Sequence, residues 1–415
     1  MSPKTEQLNE MIYVCVISQY NLPEFESCLL HKPKHLILIV SDYEKIRSSA
    51  KLFEQTIKQA LPSINIIRPD KQQAFSGDDF IAIQQWFDRY LTTALDSLPD
   101  LPRVCNLTGG TKIMTLSLLA GDFNWRWLEY KANNAQNLQQ ITYQQKQLAF
   151  KGSVELPVAD PIAVASLYSE HVRQEAGNNI VAHPESVALS EALWNGLEQQ
   201  DTALSELFVG LAKVWAHGRG KSQYQKKFVT LSSTEFIGHD CFNEAQLYWL
   251  KQWAQLKPEA LQVSRHDITF AGNKNMREEL RRWLSGDWLE RLVVHWLEEQ
   301  IPAPCIAMNL KVRPENEDKS SIGERETDVI VHHKGRTTLI EVKTNLPPQQ
   351  KMADLLRQLS SLTDRFGRTA KVLFIGPQLS QQIQPDLERI KMQCKAENIQ
   401  LAQNRQQLLA CLGYK

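Results

Sequence analysis

The segment Glu326-Thr-Asp-Val-Ile-Val-His-His-Lys-Gly-Arg-Thr-Thr-Leu-Ile-Glu-Val-Lys343 reads as two β-rich runs around a tight Lys334-Gly335 turn, a hairpin expected over Thr327 to Thr344. With those two residues as the loop, Asp328 faces Glu341 and Glu326 faces Lys343, with paired Cβ atoms about 5 Å apart. Strand side chains alternate between faces, so Glu341 and Lys343 point the same way as Asp328. Val329, Val331, Ile340 and Val342 then fill the other face. Two carboxylates so close repel unless a cation lies between them. A hard divalent ion, Mn2+ or Mg2+, suits oxygen donors, and Lys343 could then stabilise a hydroxide attacking phosphorus. Polar-out alternation alone would also produce an exposed hairpin with a Glu–Lys ladder.

Upstream, a helix is expected from about Asp287 to Gln300. On it Glu290 lines up with Val294 and Leu297, on a partly apolar face where an acid is costly and a metal would offset the cost. The alternative is a rim glutamate paired with Arg291. Downstream, a helix from about Gln349 to Leu362 and a strand at Lys371–Ile375 complete an αβββαβ order between residues 281 and 376. The spacing Asp328…Glu341-Val342-Lys343 within that order resembles the D…E-x-K signature of the PD-(D/E)xK nuclease superfamily, with Thr327 before the aspartate. The resemblance implies a restriction-endonuclease-like α/β domain over residues 281–415. It also implies catalytic positions at Asp328, Glu341, Lys343 and Glu290, and metal-holding positions at Asp328, Glu341, Val342 and Glu290. Gln358 matches a polar position of that superfamily only weakly. His295, His332 and His333 lack zinc-ligand spacing and read as bystanders.

The N-terminal part alternates two periods. Continuous apolar runs of strand length (Met11–Ile17, His35–Val40, Ser63–Ile67, Arg103–Asn106) are separated by helical stretches at Tyr43–Ala60, Asp78–Leu95 and Thr111–Ala120. That rhythm predicts a parallel sheet covered on both faces. The alternating Gln140–Phe150 segment follows as an antiparallel hairpin, giving a Rossmann-like domain over residues 1–152. Its fourth strand runs into Leu107-Thr-Gly-Gly-Thr-Lys-Ile-Met114. Gly109 and Gly110 allow close backbone approach. Thr108 or Thr111 can cap the helix, whose free N–H groups favour an anion, and Lys112 adds charge. The loop is neither a Walker A motif nor G-x-G-x-x-G, and read alone it also fits a plain strand-to-helix turn. The turn after the first strand, Ser18, Gln19, Tyr20 and Asn21, sits at the same sheet edge; its plain reading is a polar loop with a helix N-cap at Asn21.

Together these two turns resemble the ligand-contacting segments of CARF domains, the cyclic-oligoadenylate sensors of type III CRISPR defence. The resemblance implies a homodimer in which two copies of Thr108, Gly109, Gly110, Thr111 and Lys112, with Ser18 to Asn21, face one ring-shaped activator, cyclic tetra-adenylate being the favoured ring. A CARF sensor fused to a PD-(D/E)xK domain is similar to the activated nucleases of that system, which cleave DNA, RNA or both. Two other readings stand beside it: a CARF-linked nucleic-acid-binding regulator that does not cleave, and a sensor domain that degrades its own ligand.

Residues 153–280 lose the α/β rhythm and read as a mixed, largely helical connecting region. Within them Arg219, Lys221, Lys226 and Lys227 are interleaved with Tyr224 and Phe228, which suits a single strand of nucleic acid or a solvated loop. Composition limits the options. The 47 basic and 47 acidic side chains cancel, which excludes a generally basic nucleic-acid binder. At 42% hydrophobic and 23% charged residues, the chain belongs among packed globular proteins. Seven cysteines without C-x-x-C spacing fit neither a disulfide framework nor structural zinc. With no signal peptide or membrane span expected, the cytoplasm is the expected compartment.

Overall fold

A computed structural model describes residues 10–132, 137–144, 147–169, 171–174, 185–217, 229–313, 325–346, 352–363 and 369–414. Two large sheets organise the chain. The first takes strands β1 (Ile12–Val16), β2 (His35–Ile39), β3 (Asn65–Ile67), β4 (Arg103–Asn106), β5 (Trp125–Tyr130), β6 (Asn137–Gln144) and β7 (Gln147–Glu155) in the order β3-β2-β1-β4-β5-β6-β7. Pairing is parallel from β3 to β5 and antiparallel across β5, β6 and β7.

The apolar runs of β1 and β2 are continuous because both faces are buried. Tyr13, Cys15, Leu36 and Leu38 pack with Phe25 and Phe53 of the Leu22–His31 and Glu44–Ala60 helices. Val14, Val16, Ile37 and Ile39 pack on the other side with Trp86, Phe87 and Leu118. The stretch read as one helix over Asp78–Leu95 is a helix at Phe80–Trp86, a wider turn at Phe87–Leu91 and a final turn at Thr92–Asp96. Its start is fixed by Asp79, which accepts from the N–H groups of Ile81 and Ala82 at 2.9 and 3.0 Å.

The second sheet uses β8 (His171–Gln174) and, after a small sheet of β9 (Val229–Ser232), β10 (Leu261–Val263) and β11 (Asp267–Phe270), the strands β12 (Ile306–Arg313), β13 (Arg325–His333), β14 (Arg336–Lys343), β15 (Ala370–Ile375) and β16 (Gln400–Ala402). Its order is β16-β15-β14-β13-β12-β8. Residues 153–280 therefore contribute more than a helical connection. Strand β8 pairs antiparallel with β12, and β9, β10 and β11 form a three-stranded sheet that the sequence reading missed. These strands are three or four residues long, too short to show a period. The helices Ser186–Glu198, Thr202–His217 and Glu244–Leu256 share one core with the C-terminal sheet. Leu193, Leu207, Trp253, Trp283, Trp288, Val329 and Phe374 all belong to it.

Candidate active site and sensor loop

The β13–β14 ladder runs from the His333–Arg336 pair to the Val329–Ile340 pair, in the register set by a two-residue loop. Lys334 and Gly335 have φ of 52° and 68°, both positive, as a turn matched to strand twist requires. Val329, Val331, Ile340 and Val342 lie in the core against the Trp288–Glu298 helix. Past Val329 the strands part. The Asp328 carboxylate, rather than a backbone carbonyl, accepts the N–H of Val342 at 2.7 Å. Lys343 Nζ then lies 3.3 Å from Asp328 Oδ2 and 2.6 Å from Glu341 Oε1. Glu326, expected opposite Lys343, pairs across β12 with Lys311 instead, at 3.7 Å. The parting of the strands leaves Lys343 to the two carboxylates nearer the turn.

Two further contacts pin the open end. Thr344 Oγ1 donates to the Ser285 carbonyl at 2.8 Å, just ahead of the helix bearing Glu290. The Gly376 N–H donates to the Lys343 carbonyl at 2.8 Å. Glu290 thereby enters the field of Asp328, and its carboxyl is raised well above the usual range, by burial first and then by Asp328 and Asp287. Burial, followed by Asp328, pushes Glu341 up to about 7. Burial opposes the charge on Lys343, yet Asp328 and Glu341 outweigh it and hold the ammonium above its ordinary value.

Three carboxylates against one ammonium leave an excess of negative charge in a half-buried place, and the donors are all oxygen. By donor chemistry alone, oxygen groups of this kind suit a hard divalent cation. In this structure Lys343 stands between Asp328 and Glu341, and among the described residues no three His, Cys, Asp or Glu side chains gather at metal-ligand spacing. Val342 meets the site through its backbone N–H, its side chain being buried. Gln358 is exposed on the Met352–Thr363 helix. Arg219, Lys221, Lys226 and Lys227 lie outside the described residues.

At the other end of the chain, parallel pairing of β1 with β4 sets the two expected ligand segments side by side. The first closes on itself. Ser18 N–H donates to Asn21 Oδ1 at 2.8 Å and Asn21 Nδ2 to the Ser18 carbonyl at 2.9 Å. Asn21 thus ties the turn and makes no side-chain cap to the following helix. Gln19 and Tyr20 are exposed.

In the glycine loop, Thr111 caps the Lys112–Ala120 helix by accepting from Met114 N–H at 3.2 Å. Thr108 does something else: its Oγ1 accepts the N–H of Lys131 at 3.0 Å. Gly109 is packed so closely on β1 that an added Cβ would lie 2.0 Å from the Val16 carbonyl oxygen, and Gly110 has φ of 78°. Both glycines are therefore required by geometry. Lys112 is exposed beside them. Beneath Gly109 lies Glu24, fully buried, with its carboxyl against the backbone N–H groups of Gly109 and of Glu24 itself. Burial pushes its carboxyl up to about 8.

No protein-family model matches the sequence, and no curated protein matches it. Solved structures do. The structure of Can2 from Sulfobacillus thermosulfidooxidans in complex with cyclic tetra-adenylate is similar over 97% of this chain and 98% of that one, at 17% identity and a TM-score of 0.64. Protein VC1899 from Vibrio cholerae is similar over 97% and 96%, at 18% identity and a TM-score of 0.69. The chain shares their fold end to end. A type III CRISPR defence DNA nuclease activated by cyclic oligoadenylate matches 88% of this chain but 45% of its own longer chain, at 15% identity and a TM-score of 0.51. The mixed α/β architecture expected from the sequence is the fold these structures share.

Sequence reasoning missed a set of buried polar residues between the two sheets. Glu26, Lys131 and His332 are all buried. His332, read as a bystander, places Nε2 3.0 Å from Glu26 Oε1 and Nδ1 2.9 Å from Thr337 Oγ1. Its neighbour His333 meets the Tyr414 hydroxyl instead. An acid and a lysine inside an N-terminal domain give no sequence signal until the partner strand is placed. Among the described residues no helix is long and apolar enough to cross a membrane.

Proposed function

We propose that the protein is a metal-dependent nuclease switched on by a cyclic oligoadenylate, most simply cyclic tetra-adenylate, acting as a homodimer in type III CRISPR defence. The carrying observation is the contact of Lys343 with both Asp328 and Glu341, at 3.3 and 2.6 Å, at the open end of the hairpin. A nucleic-acid-binding module has no need of a glutamate raised in pKa by burial and held against a lysine. Support for the sensor half comes from the glycine loop packed beside the Ser18–Asn21 turn. It also comes from the similarity to a chain solved with cyclic tetra-adenylate.

In this reading Glu290, Asp328 and Glu341 would hold Mn2+ or Mg2+ after drawing closer than they stand here, and the ion would supply neutralisation of the carboxylates and of the charge that builds on a scissile phosphate. Lys343 donates to a phosphate oxygen and, through Asp328 and Glu341, is held in place to do so. Asp328 fixes the β14 backbone through Val342. In the sensor, the N–H groups opening the Lys112–Ala120 helix and the Lys112 ammonium meet phosphates, and Tyr20 offers a ring to an adenine. Two such loops on a two-fold axis match a ring with repeated phosphates.

The test is a cleavage assay with purified protein and Mn2+ on supercoiled plasmid, single-stranded DNA and single-stranded RNA. Each substrate is run with and without cyclic tri-, tetra- and hexa-adenylate. The reading expects cleavage that depends on both metal and cyclic tetra-adenylate. Binding of substrate without cleavage under every condition would contradict it.

A further inference from the structure

The glycine loop and the catalytic hairpin belong to different sheets, yet one chain of buried contacts joins them. Thr108 of the loop accepts the Lys131 N–H at 3.0 Å. The Lys131 ammonium lies 2.6 Å from Glu26 Oε2 and donates to the Gly335 carbonyl at 3.2 Å. Glu26 Oε1 is 3.0 Å from His332 Nε2, and His332 reaches across the same hairpin to Thr337 at 2.9 Å. Side-chain exposures are 5% for Lys131, 0% for Glu26 and 1% for His332. Gly335 is the turn of the hairpin whose far end carries Asp328, Glu341 and Lys343.

Resting on the function proposed above, we infer that Glu26 and Lys131 are positioning residues that couple the activator loop to the catalytic hairpin. The ammonium and the carboxylate grip the hairpin at its turn, one through a backbone carbonyl and one through His332. The same lysine holds the glycine loop through its own N–H. A shift of Thr108 on activator binding therefore changes the anchor of Lys131, and with it the grip on Gly335 and His332. Buried polar groups of this kind have few satisfied arrangements, so the contact behaves as a switch between discrete states rather than as a soft joint. An apolar interface would hold the two sheets together as well, and desolvating these groups carries a cost.

The experiment compares the full-length parent with Glu26→Gln, which keeps shape but removes the charge. A second variant, Glu26→Leu with Lys131→Met and His332→Leu, restores packing without polar groups should Glu26→Gln fail to fold. Calorimetry gives the dissociation constant for cyclic tetra-adenylate, thermal melting reports folding, and the nuclease rate is read with and without saturating activator. In the variants the expected result is activator affinity within about twofold of the parent and a cooperative melt. The activation ratio should fall by at least roughly fivefold, the lower end of typical coupling between sites. A full activation ratio in the folded apolar variant overturns the inference and leaves the proposed function standing. A parent that binds no cyclic oligoadenylate overturns both.

Discussion

Replacing Gly109 by alanine should separate activator binding from catalysis. An alanine Cβ at 109 would lie 2.0 Å from the Val16 carbonyl oxygen and 2.8 Å from Glu24 Oε1. Ordinary contacts between such atoms begin above about 3 Å. Val16 is fully buried on β1, which pairs on both sides with β2 and β4, so it has no room to yield. The loop must move outward instead. Overpacking of this kind costs about 1–3 kcal/mol, and at about 1.4 kcal/mol per decade this corresponds to about one to two decades in activator affinity. Gly152 supplies the control. A Cβ there meets nothing within 4 Å, so Gly152→Ala should change stability by under about 0.5 kcal/mol. Calorimetry with cyclic tetra-adenylate and an activator titration of nuclease rate would measure both. Gly109→Ala should need more activator yet approach the parental rate at saturation. Folded Gly109→Ala protein that binds activator as tightly as the parent would refute the argument.

Lys112→Glu should raise the activator concentration required by two to four decades, since in the proposed homodimer two such residues would change at one site and each charge-assisted phosphate contact is worth about 1.5–3 kcal/mol. Unchanged binding by calorimetry would remove this loop from the sensor. Glu24→Gln tests the buried acid. Its folded value, about 8 against an ordinary 4.5, means the folded state holds its proton longer than the unfolded chain. Stability is therefore lost as pH rises from about 4.5 through 8. Melting curves should coincide near pH 4.5 and separate towards pH 8, the glutamine variant being more stable there by on the order of 4 to 5 kcal/mol. A constant difference across that range would show that Glu24 does not titrate as a buried acid.

The hairpin was legible because a two-residue turn leaves little freedom in register, and that register put Asp328, Glu341 and Lys343 on one face. The parallel sheet was legible because burial on both faces makes β1 and β2 continuous apolar runs. Glu326 was misplaced because ladder arithmetic assumes the strands stay paired, whereas they part after Val329. The β9–β11 sheet and β8 were missed because three or four residues cannot declare a period. Asn21 stands at the helix N-cap, as its residue type suggested, but its side chain bonds to Ser18 rather than to the helix N–H groups. Glu26, Lys131 and His332 could not be found from the sequence at all. Each is an ordinary polar residue until the two sheets meet and water is excluded between them.

In the proposed function the carboxylate–lysine site is catalytic and separate from the activator site. The most direct measurement pairs two readouts on Glu341→Ala: the Mn2+-dependent cleavage rate with saturating cyclic tetra-adenylate, and the calorimetric affinity for that activator. Cleavage should disappear while affinity stays within about twofold of the parent, because Glu341 pairs with Lys343 on the C-terminal sheet whereas the glycine loop follows β4 of the N-terminal sheet. Retained metal-dependent cleavage in highly purified Glu341→Ala protein would contradict the account.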